Sequence, residues 1–87
     1  MDNLIEDEIN ILNKRIEMAT EILKGSKEDL IYFSEKKDIA IKEGNFENIV
    51  NCISSIYDVK NFITGKELLI KASQDMIKEL SSYKEGV

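Results

Sequence analysis

The apolar residues near the start of the chain recur at alternating steps of four and three. They are Ile5, Ile9, Leu12, Ile16, Ala19 and Leu23. This spacing places them on one face of a helix and is the a/d repeat of a helix that packs against other helices. Acidic residues crowd the first turns and Lys24 precedes Gly25, so the charges complement the helix dipole. The pattern predicts a first helix over residues 3–24.

A second helix is predicted over residues 27–43. Ser26, followed three residues later by Asp29, is a suitable cap, and Gly44 is a suitable stop. The apolar residues fall in two blocks, 30–33 and 39–41, with the polar run 34–38 between them. We expect the middle of this helix to be solvated.

Isoleucine recurs every seven residues in the last half of the chain, at Ile49, Ile56, Ile63, Ile70 and Ile77. Asn45 is a suitable cap before this series. Further apolar positions widen the stripe, as in a helix that packs on more than one neighbour. These are Ile53, Val59, Phe62, Leu69, Met76 and Leu80. The pattern predicts a third helix over residues 46–82.

The segment 64–67, TGKE, has the form of a capping box and could instead start a fourth helix. The isoleucine series keeps its phase across Gly65, and a reversal of the chain needs roughly two or more loop residues. We therefore favour one continuous or kinked third helix. The predicted fold is all-α, a single domain over residues 1–87 built as a small antiparallel bundle of three helices. A break near Gly65 would make it a four-helix bundle.

A continuous third helix would be longer than either of the other two, so part of its apolar stripe would lack cover within one chain. We expect the uncovered residues to bind a partner, and a homodimer is the simplest cover. The predicted partner-binding residues are Ile63, Leu69, Ile70, Met76, Ile77 and Leu80. A reversal at Gly65 would place the same residues in a closed core and weaken the argument for a partner.

The composition narrows the possible partners. The net charge is −5 and the pI is about 4.7, which argues against non-specific binding to nucleic acid or anionic lipid and favours a basic or neutral protein partner.

The first residues lack the basic start and apolar run of a signal peptide, and no apolar stretch has the length of a membrane span. With one cysteine, Cys52, we expect a reducing, cytoplasmic setting. The abundance of Ile, Lys, Asn and Glu is associated with low-GC bacteria and their phages.

Catalytic chemistry has little support in the residue types. The chain has no histidine, so Cys52 has no partner for Cys-His catalysis, and the common Glu-His metal motifs cannot form. Glu17 with Glu21 and Asp75 with Glu79 have helical spacing, but a solvated face explains both pairs. We expect no catalytic site, no metal and no cofactor.

Two local resemblances to known families bear on these expectations. The segment 12–19, LNKRIEMA, resembles the first-helix pattern of the small all-helical chorismate mutases, and the segment 72–74, ASQ, is similar to part of their last helix. That likeness implies a role for Arg15 as a ligand of a substrate carboxylate, although the family uses several cations and Arg15 is the only arginine here. The segment 41–47, IKEGNFE, is similar to a helix junction of flagellar export chaperones.

The leading hypothesis is a non-enzymatic interaction module, acting as a regulator, inhibitor, adaptor or chaperone that presents an apolar helical face. One alternative is an enzyme of the chorismate-mutase type. Another is a structural or assembly component of a phage or a secretion system.

Overall fold

The computed structural model describes residues 2–86, which form two long helices joined by a short turn. Helix α1 spans Asp2–Glu43 and helix α2 spans Phe46–Gly86. They lie side by side as an antiparallel hairpin that measures 65 × 15 × 13 Å. The all-helical class is confirmed, but the three- and four-helix bundles are wrong, because the described chain contains two helices.

The first two predicted helices are in fact one, because the chain passes through Gly25 and Ser26 without leaving the helix. Ser26 does not act as a cap: its hydroxyl donates a 3.1 Å hydrogen bond to the carbonyl oxygen of Ile22, four residues earlier in the same helix. Glycine in a helix interior costs only about 0.5–1 kcal/mol relative to alanine, which packing along a long helix easily offsets. The predicted break at 25–26 is therefore corrected.

The apolar repeat explains why α1 continues. The a/d spacing found over residues 5–23 runs on without a change of phase, and every position in the series is buried or half-buried. These positions are Ile5, Ile9, Leu12, Ile16, Ala19, Leu23, Ser26, Leu30, Phe33, Lys37 and Ala40. The sequence block 30–33 contributes Leu30 and Phe33 to this series, while Ile31 and Tyr32 remain exposed.

Helix α2 follows the same rule. It is continuous through Gly65, as the favoured interpretation of the isoleucine phase predicted, and the alternative capping box is not used. The buried and half-buried repeat consists of Ile49, Cys52, Ile56, Val59, Ile63, Lys66, Ile70, Ser73, Ile77 and Leu80. We call the two repeats together the seam. Both helices therefore bury positions at steps of three and four, which is the spacing of an a/d repeat.

The turn confirms the prediction that Gly44 ends one helix and Asn45 caps the next. Gly44 has a φ of 65°, its N–H donates to Ile41 O at 3.2 Å, and Asn45 N–H donates to Ala40 O at 3.0 Å. These two bonds form a Schellman motif. Asn45 Oδ1 then accepts a 3.2 Å hydrogen bond from the N–H of Asn48, as an N-cap should. Two residues thus reverse the chain and cap both helix ends.

Equal arms remove one reason for expecting a partner. With 42 residues in α1 and 41 in α2, neither helix overhangs the other. The expected overhang of the third helix is wrong, because it depended on α1 being split. Apolar residues are nevertheless exposed, and they lie beside the seam rather than beyond its end.

Candidate functional site

In the part of the chain that the structure describes, seventeen large apolar side chains are exposed, and most of them fall into two groups at opposite ends of the hairpin. A fold of two helices cannot enclose a helix on all sides, so only the seam is covered. Scattered exposed apolar residues are ordinary, whereas continuous stripes mark interaction surfaces. The two groups are therefore the candidate functional sites.

The first group lies in the half of the hairpin that contains both chain ends. On α1, Leu4, Ile11 and Met18 are spaced by seven, and Ile22 lies one turn beyond Met18. On α2, four exposed residues have the same seven-residue spacing, at Phe62, Leu69, Met76 and Tyr83. Each series occupies one flank of its helix, because seven residues are close to two full turns.

A shallow depression shows that these two series share one side of the hairpin. It has a volume of about 180 Å³ and is lined by Met18 and Ile22 from α1 together with Leu69 from α2. Because the other residues repeat at sevens from these three, the eight side chains form one surface across both helices. We call it the open-end surface: Leu4, Ile11, Met18, Ile22, Phe62, Leu69, Met76 and Tyr83.

The second group lies near the turn. Phe46, Val50, Ile53 and Tyr57 follow one another at steps of four, three and four along α2. From α1, Ile31 and Ile41 are exposed in the same half of the hairpin. We call these six residues the turn-end surface. Phe46 is the most exposed of them, at 79%.

The turn-end surface is on the other flank of the seam. A second depression, of about 270 Å³, opens beside the turn and is lined by Ile39 and Asn51, which immediately precede the seam residues Ala40 and Cys52. Ile41 and Ile53 immediately follow the same two seam residues, so they lie on the opposite flank from this depression. Met18 and Leu69 of the open-end surface immediately precede seam residues, so they lie on the same flank as the depression. The exposed stripe of α2 therefore changes sides between Tyr57 and Phe62.

The six predicted partner-binding residues divide into two environments. Leu69 and Met76 are exposed, at 42% and 47%, and belong to the open-end surface. The other four lie in the seam and are half-buried: Ile63, Ile70, Ile77 and Leu80. The six predicted residues include none from α1 and none from the turn-end surface. Separate seven-residue series beside the first a/d repeat, such as Leu4, Ile11 and Met18, were the signal that could have revealed them.

The polar candidates have local, structural surroundings. Cys52 is buried in the seam, and Glu17 and Glu21 are exposed. Asp75 pairs with Lys71 at 3.6 Å, one helical turn away. Within the described part of the chain, no three His, Cys, Asp or Glu residues come together to hold a metal ion.

Arg15, the residue that the chorismate-mutase resemblance singles out, is exposed on α1. It lines the 180 Å³ depression, and Lys66 of α2 lines the same depression. Lys66 Nζ lies 5.3 Å from the centre of the Phe62 ring, which is a cation–π distance. The resemblance therefore points to an open apolar surface with two cations beside it.

Lysine also accompanies aromatic rings near the turn. Lys60 Nζ lies 5.3 Å from the Tyr57 ring centre, and Lys36 Nζ lies 5.1 Å from that of Tyr32. Tyr32, by side-chain hydrogen bonding first and by charge interaction second, raises the pKa of Lys36 above its ordinary 10.5.

Charge distinguishes the two halves. Residues 24–60, which include the turn, contain six lysines and seven acidic residues, a net charge of −1. The remaining residues contain six basic and ten acidic residues, a net charge of −4.

In residues 2–86, neither helix has a segment that is long and apolar enough to cross a membrane. Comparison with protein-family models, with curated proteins and with solved structures finds no match for this chain.

Proposed function

We propose that this protein is a small, non-enzymatic interaction module that docks its open-end surface onto an apolar face of another protein inside the cell. One observation carries the proposal: eight large apolar side chains, exposed by 42% to 73%, share one side of the helix pair. At about 200 Å² per residue, the exposed fractions together present on the order of 800 Å². A standard interface buries about 800 Å² on each partner.

The shape of the surface favours a helical ligand. Two parallel rows of apolar side chains, at seven-residue spacing on neighbouring helices, form the kind of groove into which an amphipathic helix lays its apolar face. Arg15 and Lys66 lie beside the depression, but the half as a whole has a net charge of −4, which favours a neutral or basic helix over a second copy of the same acidic half. A regulator, adaptor or chaperone would use such a surface.

Affinity purification with matched variants tests the proposal. Met18→Glu places a charge in the middle of the surface at a residue that is 65% exposed, so the fold should be unaffected. Asn10→Glu adds the same charge at an exposed α1 position outside the surface. A partner should be retained by the wild-type protein and by Asn10→Glu and lost by Met18→Glu.

The purified partner should then bind the wild-type protein directly, and Met18→Glu should weaken that binding by about 30-fold or more, as expected for a central apolar contact. Equal binding by all three proteins would contradict the proposal. A partner that is part of a large regular particle would identify the protein as a structural or assembly component, which uses the same docking chemistry.

The enzyme alternative makes a different prediction. If Arg15 binds the carboxylate of a chorismate substrate, the wild-type protein should turn over chorismate and Arg15→Ala should not. The arrangement around Arg15 favours docking, because the depression it lines is shallow and is walled by Met18, Ile22 and Leu69. Absence of chorismate turnover by the wild-type protein would dismiss the enzyme.

A further inference from the structure

We infer that the turn-end surface pairs with a second copy of this chain, so that the protein is a twofold-symmetric dimer joined near its turns. This inference concerns a different surface from the one in the proposed function. It rests on the size, charge and internal spacing of the turn-end surface.

The size is that of a dimer interface. Phe46, Val50, Ile53 and Tyr57, with Ile31 and Ile41 from α1, are exposed by between 41% and 79%. At about 200 Å² per residue, they present on the order of 700 Å² on each chain. Pairing two such surfaces would bury on the order of 1,400 Å² in total, within the range of stable protein interfaces.

The charge permits self-pairing at this end. Residues 24–60 have a net charge of only −1, so two copies can approach turn to turn with little mutual repulsion. Pairing two open-end halves would instead bring together two groups of net charge −4. The second copy therefore fits the turn-end surface better than it fits the open-end surface.

The spacing along α2 is self-complementary. Steps of four, three and four from Phe46 to Tyr57 read the same in both directions, so two antiparallel copies of this stretch can align around a twofold axis. A twofold axis between Val50 and Ile53 brings Val50 of one copy against Ile53 of the other. The same axis brings Phe46 of one copy against Tyr57 of the other, an aromatic pair at each edge of the contact.

This dimer leaves the open-end surface available. The two surfaces lie on opposite flanks of the seam and in different halves of the 65 Å hairpin. Each dimer would therefore present two open-end surfaces to its partners, and binding to a dimeric partner would gain in avidity.

Sedimentation equilibrium of the full chain tests the dimer. The wild-type protein should be dimeric in the micromolar range. Val50→Glu, at a residue 64% exposed, should raise the dimer dissociation constant by about 30-fold or more without loss of helicity by circular dichroism. Met18→Glu, on the open-end surface, should remain dimeric. A monomeric wild-type protein, or a dimer unchanged in Val50→Glu, would overturn the inference.

Mixing two variants tests the twofold register. Val50→Glu and Ile53→Lys should each be monomeric alone, and an equimolar mixture should form dimers, because the introduced glutamate of one chain faces the introduced lysine of the other. A mixture that stays monomeric would overturn the predicted pairing. If Met18→Glu alone loses the dimer, the second copy binds at the open-end surface. Failure of the proposed docking function would leave the sedimentation masses of the wild-type protein and of all these variants unchanged.

Discussion

The two ends of the hairpin are held together in different ways. At the turn, the Schellman bonds of Gly44 and Asn45 and the Asn45 cap fix the connection by backbone geometry. At the open end, the helices meet through seam side chains and through one ion pair, from Lys84 Nζ to Glu6 Oε1 at 2.9 Å, with both side chains partly in water. One end is thus fixed by the chain itself, and the other depends on packing.

The same division appears on the surface. The turn half is nearly neutral and carries the turn-end surface on one flank of the seam, with Tyr32 and Ile39 exposed on the other flank. The open-end half is acidic and carries the open-end surface on that other flank. A single pair of helices therefore carries two chemically distinct surfaces without a second domain. The seam sets the fold, and the residues beside it determine which partner fits which end.

The largest expected effect tests the claim that packing holds the open end. Leu12 is 1% exposed in the seam of that half, and Leu12→Ala should lower the free energy of unfolding by about 3 kcal/mol, because it removes buried methyl groups and leaves a cavity. Leu4→Ala, the same substitution at a residue 73% exposed, should cost less than about 0.5 kcal/mol. Urea denaturation measures both, and equal losses would contradict the assignment of the seam.

The turn should be sensitive to backbone geometry in a way that the helices are not. Gly44→Ala places a side chain at a φ of 65° and should destabilise the protein by roughly 1–2 kcal/mol. Gly25→Ala has no neighbouring atom within 4 Å of the added carbon and should stabilise the protein by roughly 0.5–1 kcal/mol. The two changes should therefore shift the thermal midpoint in opposite directions. Shifts of the same sign would mean that the left-handed turn is not the required feature.

A smaller effect is expected from the cap. Asn45→Ala removes the side-chain acceptor of the Asn48 N–H and should cost about 1 kcal/mol. Asn61→Ala, in the exposed interior of α2, provides the control and should cost nothing, because alanine is the better helix former. Amide hydrogen exchange should show the loss of protection concentrated in the first turn of α2.

The ion pair at the open end should contribute least. Glu6→Gln should lower the free energy of unfolding by less than about 1 kcal/mol, because partly exposed pairs are screened by water. The difference from the wild-type protein should disappear in about 1 M salt. A loss comparable to that of Leu12→Ala would show that this end is held by charge rather than by packing.

Much of the fold was predictable from local signals. Gly44 and Asn45 have the residue types that a helix end and a cap require, and the isoleucine phase predicted passage through Gly65. The helix break predicted at Gly25 and Ser26 was wrong because glycine and serine indicate a break only where the repeat of apolar residues also changes its phase. Here Ser26 itself occupies a seam position, and its hydroxyl is satisfied within the helix.

The candidate site was harder to predict because its residues are defined by what the seam leaves uncovered. Leu69 and Met76 were identified as partner contacts on the premise of an overhang, whereas they lie beside the seam. Once α1 is known to continue to Glu43, the two flanks follow from helical spacing. Periodicity does not specify which other helix each helix packs against, and this information was missing.

The two-residue turn has a consequence for how the length of this protein can change. With no slack at Gly44 and Asn45, the two arms are locked in register, and a one-residue deletion within α1 would rotate everything on the far side by about 100°. Seam residues would then face water and part of an exposed stripe would face the other helix. Tolerated insertions and deletions should therefore come as whole seven-residue units, matched in the two arms at the same height above the turn.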